Sequence, residues 1–499
     1  MDPPYSEIPD GPLSLPIRDG DYDAVTDAGS RISISHEDRD CTVDSKDCTV
    51  EKLLEKAWEN AKSRRSVWAA RQGTVDQDES FHLLYRYKAE VERRSPGSIL
   101  EIDYKVVEGK QYFTRFFCCF KACITGFLNG CRPYLSIGST ALDGKWNGHF
   151  ATVSALDGHD WMFPVAHGFF ESESEDNWTW FMRQLNKSIG SPRNLAICID
   201  ACEGLQRAVK TVFPEAEHRE NSAHLMQNVR EKWHGDVIGD MYSAARAHCP
   251  QQFEQYMRSI TTACPDVVPW LQQHHSLMWM RSSFNKEVKC DYITNNLAET
   301  WSDWVEEVKD LPPADLTDAI RVKIMTLFYE RRMIGESLRG CILPAVIAQL
   351  NARTRGLGNV KVVHGADGIA KVSEPENPQN LVRHVDLRKK ECTCLQWQMC
   401  GKPCNHALAF IASSRYEKME KHVHEYFSVQ RFELAYEGLI EPLPDKSQWP
   451  KVDTGFKLLP PFVERSIGRQ KKNIILSCLD KGSSKKKKQK YERLGEIGH

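Results

Sequence analysis

One segment restricts this chain more than any other. ECTCLQWQMCGKPCNHALAFI opens at Glu391 and sets Cys392, Cys394, Cys404 and His406 in the order Cys-x-Cys, nine residues, Cys-x-His. Four soft or borderline ligands in so short a span suit a closed tetrahedral site for structural Zn²⁺, with no open position for catalysis. Ligands one residue apart reach a single ion only from a tight turn, and Gly401 and Pro403 suit a chain that doubles back between the pairs. ALAFIA after His406 reads as the start of a short apolar helix carrying the second ligand pair near its N-terminus. Coincidence is the plainer reading, since the chain has 17 cysteines, but the tight spacing without a disulfide context weighs against it. Cys400, inside the segment, reads as a packed spare thiol, with substitution for Cys404 as the alternative.

The 499 residues are enough for two to four domains. A formal charge of -2 argues against a uniformly basic nucleic-acid coat, yet the charge is segregated. The first fifty residues are acidic and poor in aromatics, which fits a disordered leader. KKKKQK at Lys485 to Lys490 reads either as a solvated tail or as a nuclear-import or phosphate-contacting run. No uninterrupted apolar stretch reaches about 18 residues, so no membrane span is expected. The polar, Pro-rich start carries no secretory signal, and irregular cysteines in such a chain point to reduced thiols in the cytosol or nucleus.

Periodicity suggests helices over VEKLLEKAWENAKSRRSVWAAR and SFHLLYRYKAEVERR, then a strand pair at ILEIDYKVV and QYFTRFFCCF. From Cys131 three apolar runs (YLSIG, HFATVSALDG, WMFPVAHGFFES) read as strands separated by turns. DNWTWFMRQLNKSIG reads as a helix opening at Asp176, LAICID as a buried central strand, ACEGLQRAVKTVF as a helix, EAEHR as an edge strand and HLMQNVREKW as a helix. This is a mixed α/β layout with helices covering a sheet. NNLAETWSDWVEEVKDL reads as one long amphipathic helix, LTDAIRVKIMTLFYERRMIGESL as another, and NVKVVHGADGIAKVSE as two strands before the metal segment. The expected division is an acidic leader (1–50), a mainly helical region (51–130), an α/β domain (131–310, with a helical insertion over about 235–290), a helix and connector (311–380), the metal segment (381–415) and a C-terminal region (416–499). The aromatic stretch WLQQHHSLMWM in the insertion reads first as core, with stacking on exposed bases as the functional alternative.

The metal segment, with Trp397 and G-x-P-C-x-H, closely resembles the SWIM zinc finger, a small ββα unit. NGCRPYLSIGST, DNWTWFMRQL, ICIDACEGL, VFPEAEHRE, HLMQNV and CDYITNNLAETW together resemble a plant Mutator-like element transposase of the MuDR type. The resemblance implies a ribonuclease H-like core in which two aspartates and a glutamate hold paired Mg²⁺ ions for in-line attack on phosphodiesters. Carried onto this chain, Asp200 in ICID takes the second acid and Glu299 in NNLAET the glutamate, but the first position falls on Gly138, which has no ligand atom. Asp143, five residues on, points from a turn and is a poor substitute. Without the resemblance, Asp200 and Glu299 would read as a strand-end acid and a solvent-facing helix acid. The family's Cys-x-x-His after the fifth strand is here Asn221 with His224. A knuckle-like YERLGEIGH has Tyr491 and Leu494 where cysteines belong and reaches only His499, so it is not expected to close on zinc.

The expected function is therefore a transposase-derived, zinc-binding, DNA-binding nuclear protein, catalytically inactive at Gly138. Mg²⁺ belongs to it only if the transposase site still works. Two alternatives stand beside it: an active Mutator-like transposase, or a protein-binding SWIM module on an α/β scaffold. Composition fixes no oligomeric state.

Overall fold

A computed structural model of the chain describes residues 77–142, 146, 148–200, 202–294, 296–374, 382–414 and 417–462. The acidic leader, the helical pattern expected over 50–71, Asp143, the basic run at Lys485 and the knuckle-like end lie outside the described residues.

Helix α1 (Gln77–Arg94) leads into an antiparallel hairpin of β1 (Ile99–Val107) and β2 (Lys110–Cys119), followed by α2 (Lys121–Gly130). Then come β3 (Tyr134–Ala141), β4 (His149–Leu156), β5 (Met162–Phe170), α3 (Glu175–Ile189), β6 (Ala196–Ile199), α4 (Glu203–Val212) and β7 (Glu217–Glu220). They build one mixed sheet ordered β1-β2-β5-β4-β3-β6-β7, with β3–β6 and β6–β7 parallel and the other pairs antiparallel. The succession from β3 to β7 is the one expected of a ribonuclease H-like core, and the hairpin β1–β2 extends the same sheet through β5. All of β5 and β6 is buried, which is why their sequences run apolar without alternation.

Helix α3 shows how local sequence sets the covering layer. Ser174 caps it, its Oγ accepting from Asn177 N at 3.2 Å, so the helix starts one residue before Asp176. Glu175 and Asp176 in the first turn complement the helix dipole, and Gly190 at φ 68° ends it. Its buried stripe, Trp178, Phe181, Leu185 and Ile189, recurs at helical spacing and lies on the sheet, with 5.0 Å between the Phe117 and Phe181 rings and between those of Phe170 and Trp178. Each such side chain contributes roughly 1.5–3 kcal/mol by leaving water.

Helix α5 (Ser222–Lys232) and the insertion's α6 (Asp236–Arg246), α7 (Pro250–Ala263) and α8 (Val267–His274) share a second core containing Leu225, Met241, Ile260 and Leu271. The last α-helix of the insertion ends at His274, and up to the expected limit near 290 only two 3₁₀ turns follow, Arg281–Ser283 and Lys286–Val288. Beyond His274 the irregular stretch is held by buried Arg219, whose Nη1 donates to Cys290 O at 2.7 Å, and by Arg281, whose Nε donates to Asp291 O at 2.7 Å. Trp279 is buried in the insertion's core, and Trp233 and Trp270 are partly buried against it. The aromatic stretch thus serves mainly as packing.

Helix α9 (Asn296–Val305) is shorter than its sequence suggests. Pro312 is extended (φ -56°, ψ 149°) and Pro313 fits only a first helical turn, so the chain restarts as α10 (Pro313–Ser337). After α11 (Pro344–Arg355), strands β8 (Lys361–His364), β9 (Ile369–Ser373), β10 (Val382–Asp386) and β11 (Glu391–Cys392) form an antiparallel sheet ordered β11-β10-β9-β8. Short α12 (Gln396–Cys400) and α13 (Asn405–Ser413) complete the finger, a ββα unit widened by the β8–β9 hairpin.

The chain then returns to the main core. Helix α14 (Val429–Tyr436) buries Phe432 and Tyr436 there, and β12 (Leu458–Leu459) lies parallel to β2. Helices α14 and α2 meet backbone to backbone: a Cβ on Gly126 would lie 2.1 Å from Ala435 O, and one on Gly130 2.4 Å from Ala435 N. Only glycine fits at both positions.

Candidate metal centre and acidic site

The finger brings together Cys392 from β11, Cys394 from the turn after it, and Cys404 and His406 from the start of α13. Their ligand atoms all lie within 4.8 Å of one another, and the three sulfurs belong to buried residues. His406 Nδ1 is 3.8 Å from Cys404 Sγ. Zinc bonds of about 2.0–2.3 Å at tetrahedral angles put ligand atoms about 3.5–3.8 Å apart, so the donor set and spacing fit this ion. The thiols already share charge: hydrogen bonds from Cys392 and then Cys404 push the Cys394 thiol down, while Cys392 is pushed up to about 12.

Residues outside the motif hold it in shape. His406 Nε2 faces Glu374 Oε1 at 3.3 Å, the kind of carboxylate partner that orients a ligating imidazole. Gln398 clasps Cys392 at both backbone groups, its Oε1 accepting from Cys392 N at 3.2 Å and its Nε2 donating to Cys392 O at 3.0 Å. Neither was legible from spacing; Glu374 stands 32 positions before His406 and comes close only because β9 pairs with β10. Cys400 stays outside the cluster: its Sγ donates to Lys402 O at 3.2 Å, and burial pushes its thiol up to about 12.

The loop between the ligand pairs is plugged into the α/β core. Trp397 is buried, its Nε1 donating to His422 O at 3.0 Å, and Lys289 Nζ donates to Gln398 O at 3.1 Å. Gly401 at φ 75° admits no side chain, because a Cβ would stand 2.9 Å from His424 Cβ. Lys402 Nζ reaches Asp160 Oδ2 in the β4–β5 turn at 2.9 Å, and Arg132 Nη2 pairs with Asp160 Oδ1 at 2.5 Å. Burial alone would push the Asp160 carboxyl up, yet Lys402 and Arg132 together hold it at about 2.

The second candidate site lies at one end of the main sheet. Register pairs Ile137 with Ile199, so the next β3 position, buried Gly138, comes alongside Asp200 just past β6. Asn221 Nδ2 donates to Asp200 Oδ1 at 3.1 Å, and its own Oδ1 accepts from Ala223 N at 3.0 Å, capping α5. His224 Nε2 stands 3.4 Å from the same Asp200 oxygen. Its imidazole is pushed up, first by the Asp200 hydrogen bond, against burial, with Glu299 and Glu220 adding to the field. Glu299 is exposed in the first turn of α9, which packs across β3 and β4. Asp200, His224 and Glu299 therefore share one electrostatic neighbourhood, with a bare backbone where a carboxylate would complete it. Glu173, which accepts from Ser139 Oγ one residue beyond Gly138, is a rim acid the sequence did not suggest. Among the described residues, the finger's four are the one group of at least three His, Cys, Asp or Glu side chains whose ligand atoms converge on a metal-sized space. A paired Mg²⁺ site of two aspartates and a glutamate does not fit Gly138, Asp200 and Glu299.

Comparison with known families agrees with both regions. Residues 134–228, from β3 into α5, match the MULE transposase domain, and residues 379–411 match the SWIM zinc finger. No curated protein matches the chain. The finger match and the Cys₃His cluster together support zinc binding.

Proposed function

We propose that this chain, a transposase-derived zinc-binding protein in which a MULE transposase domain is followed by a SWIM zinc finger, acts by binding DNA and no longer cuts it. The observation that carries the reading is Gly138 beside Asp200. An acid there would face both metal positions, and its loss removes ion affinity and nucleophile positioning at once. Asp200 is engaged instead by Asn221 and His224, in keeping with a site that has settled into structural use.

Zinc in the finger is structural, since the protein supplies all four ligands and leaves no position for water or substrate. Its binding energy is folding energy for the segment. The working compartment is the nucleus, where DNA is the partner.

The test uses the full chain with short duplexes in Mg²⁺ or Mn²⁺. The expected result is duplex binding that weakens steeply with salt, through release of counterions, and no nicked product. Nicking by the natural chain would restore the active-transposase reading. Absence of any salt-dependent duplex affinity, with a protein captured through residues 384–415, would replace DNA by a protein partner.

A further inference from the structure

The finger's two faces have different fates. One face of its sheet, with Ala370, Val372 and Val385, is buried against Trp397, Ala407 and Phe410 in the finger's own core. The loop between the ligand pairs is taken up by the α/β core through Lys402, Gly401 and Gln398. What the finger can offer a partner is therefore the opposite face of the sheet.

Register identifies that face. Lys371 pairs with Val363 on one side and His384 on the other, and Ser373 pairs with Lys361 and Val382. Directly paired residues of antiparallel strands share a face, so these six form two adjoining rows. Lys361, Lys371 and His384 are exposed, and Val363 and Val382 are 61% and 49% exposed. The turn after β10 adds exposed Arg388, Lys389 and Lys390. Arg388 lies over Gly368, its Cγ 3.0 Å from where a Cβ would be, which joins that turn to the β8–β9 hairpin.

The next row of this face is Ile369, Asp386 and Glu391, whose two acids offset Lys361 and Lys371. The positive surplus therefore comes from Arg388, Lys389 and Lys390 in the turn. Arg388 comes only within 4.0 Å of Asp386, and among the described residues no carboxylate pairs with Lys361, Lys371, Lys389 or Lys390. Among the described residues the exposed acids nearby are Asp367 and Glu391. Lys361 on β8 and Lys371 on β9 are diagonal neighbours, about 7–8 Å apart by strand spacing.

We infer that this outward sheet face is a contact surface for the phosphate backbone of duplex DNA, carried by Lys361, Lys371, Arg388, Lys389 and Lys390. The inference rests on the DNA-binding reading above and gives it a location. Duplex is preferred because, among the described residues, the face carries no exposed Phe, Tyr or Trp on which an unpaired base could stack. An acidic protein partner is disfavoured because the face has no aromatic or arginine anchor seated in a pocket. The contacts are to phosphates, so binding is expected to be indifferent to sequence.

The experiment measures binding of the full chain to a fluorescent 20-base-pair duplex by anisotropy, from about 50 to 200 mM NaCl. A variant combines Lys361→Gln, Lys371→Gln, Lys389→Gln and Lys390→Gln, with zinc content and circular dichroism as controls for folding. A second variant carries Gln at Lys485, Lys486, Lys487, Lys488 and Lys490. Each phosphate contact contributes about 0.9 to the slope of log affinity against log salt. The sheet variant should therefore lose about 3 to 4 from that slope and at least about tenfold in affinity at 100 mM salt. If the natural chain binds and the sheet variant keeps its slope, the surface is wrongly placed and the DNA-binding reading stands. If the natural chain binds no duplex, both fail. Tighter binding to a single-stranded oligonucleotide of the same length would overturn the choice of duplex.

Discussion

Replacing Lys402 by Met should weaken the finger and the α/β core together, although Lys402 belongs to the finger and Asp160 to the main sheet. A carboxyl lowered from 3.8 to about 2 gains about 2.5 kcal/mol from its surroundings, at about 1.4 kcal/mol for each tenfold. Two cations share that gain, so loss of Lys402 removes about 1 kcal/mol directly. The poorer compensation of a largely buried Asp160 should bring the total to about 1–2 kcal/mol. The carboxyl is depressed in the folded chain, so this contribution is complete above about pH 4 and is lost as pH falls through about 2. The assay is urea unfolding at pH 7, followed by tryptophan fluorescence and by zinc release to a chromogenic chelator, for Lys402→Met, Asp160→Asn and the double variant. Both probes should shift to lower urea together, and the cycle should return a coupling of about 1 kcal/mol. A coupling below about 0.5 kcal/mol, or zinc release that moves while core fluorescence stays put, would refute the docked arrangement.

Three further outcomes follow from the same geometry. Cys392→Ser should drop zinc well below one per chain and, because the ligand loop is plugged into the core, also lower the core's unfolding midpoint; local loss of the finger alone would contradict the docking. Glu374→Gln should cost about 10–100-fold in zinc affinity in a chelator competition, and an unchanged affinity would mean that Glu374 does not orient His406. Gly126→Ala should destabilise the fold by about 1–3 kcal/mol in urea, since its Cβ would stand 2.1 Å from Ala435 O, and a neutral result would contradict the close packing of α2 on α14.

The parts of this fold readable in the sequence are those whose cause is local. Strand runs such as AICI and the helix from Glu175 to Ile189 carry their own burial pattern, cap and stop. The ligand quartet is legible because its four members fall within 15 positions of one another. What escaped depends on distant partners. The hairpin β1–β2 joins the main sheet through a pairing with β5, and α14 completes the main core from the far side of the finger, which no periodicity announces. Helix α9 ends at Val305 and passes into turns before the Pro312–Pro313 pair, although its amphipathic pattern runs on to Leu311. Asp160, Lys402 and Glu374 look like ordinary surface charges in the sequence; docking joins Lys402 to Asp160, which Arg132 also holds, and the finger's own fold brings Glu374 to His406.

The most direct test of the account is repair of the first acid. Gly138→Asp is compared with the natural chain for Mg²⁺- or Mn²⁺-dependent nicking and strand transfer on short duplexes, with Glu299→Ala added to the repaired chain as control. The account predicts cutting by the repaired chain alone, abolished by the control. Cutting by the natural chain would contradict it, and would direct the search for a substitute ligand to the acids near Gly138, Asp143 and Glu173 first.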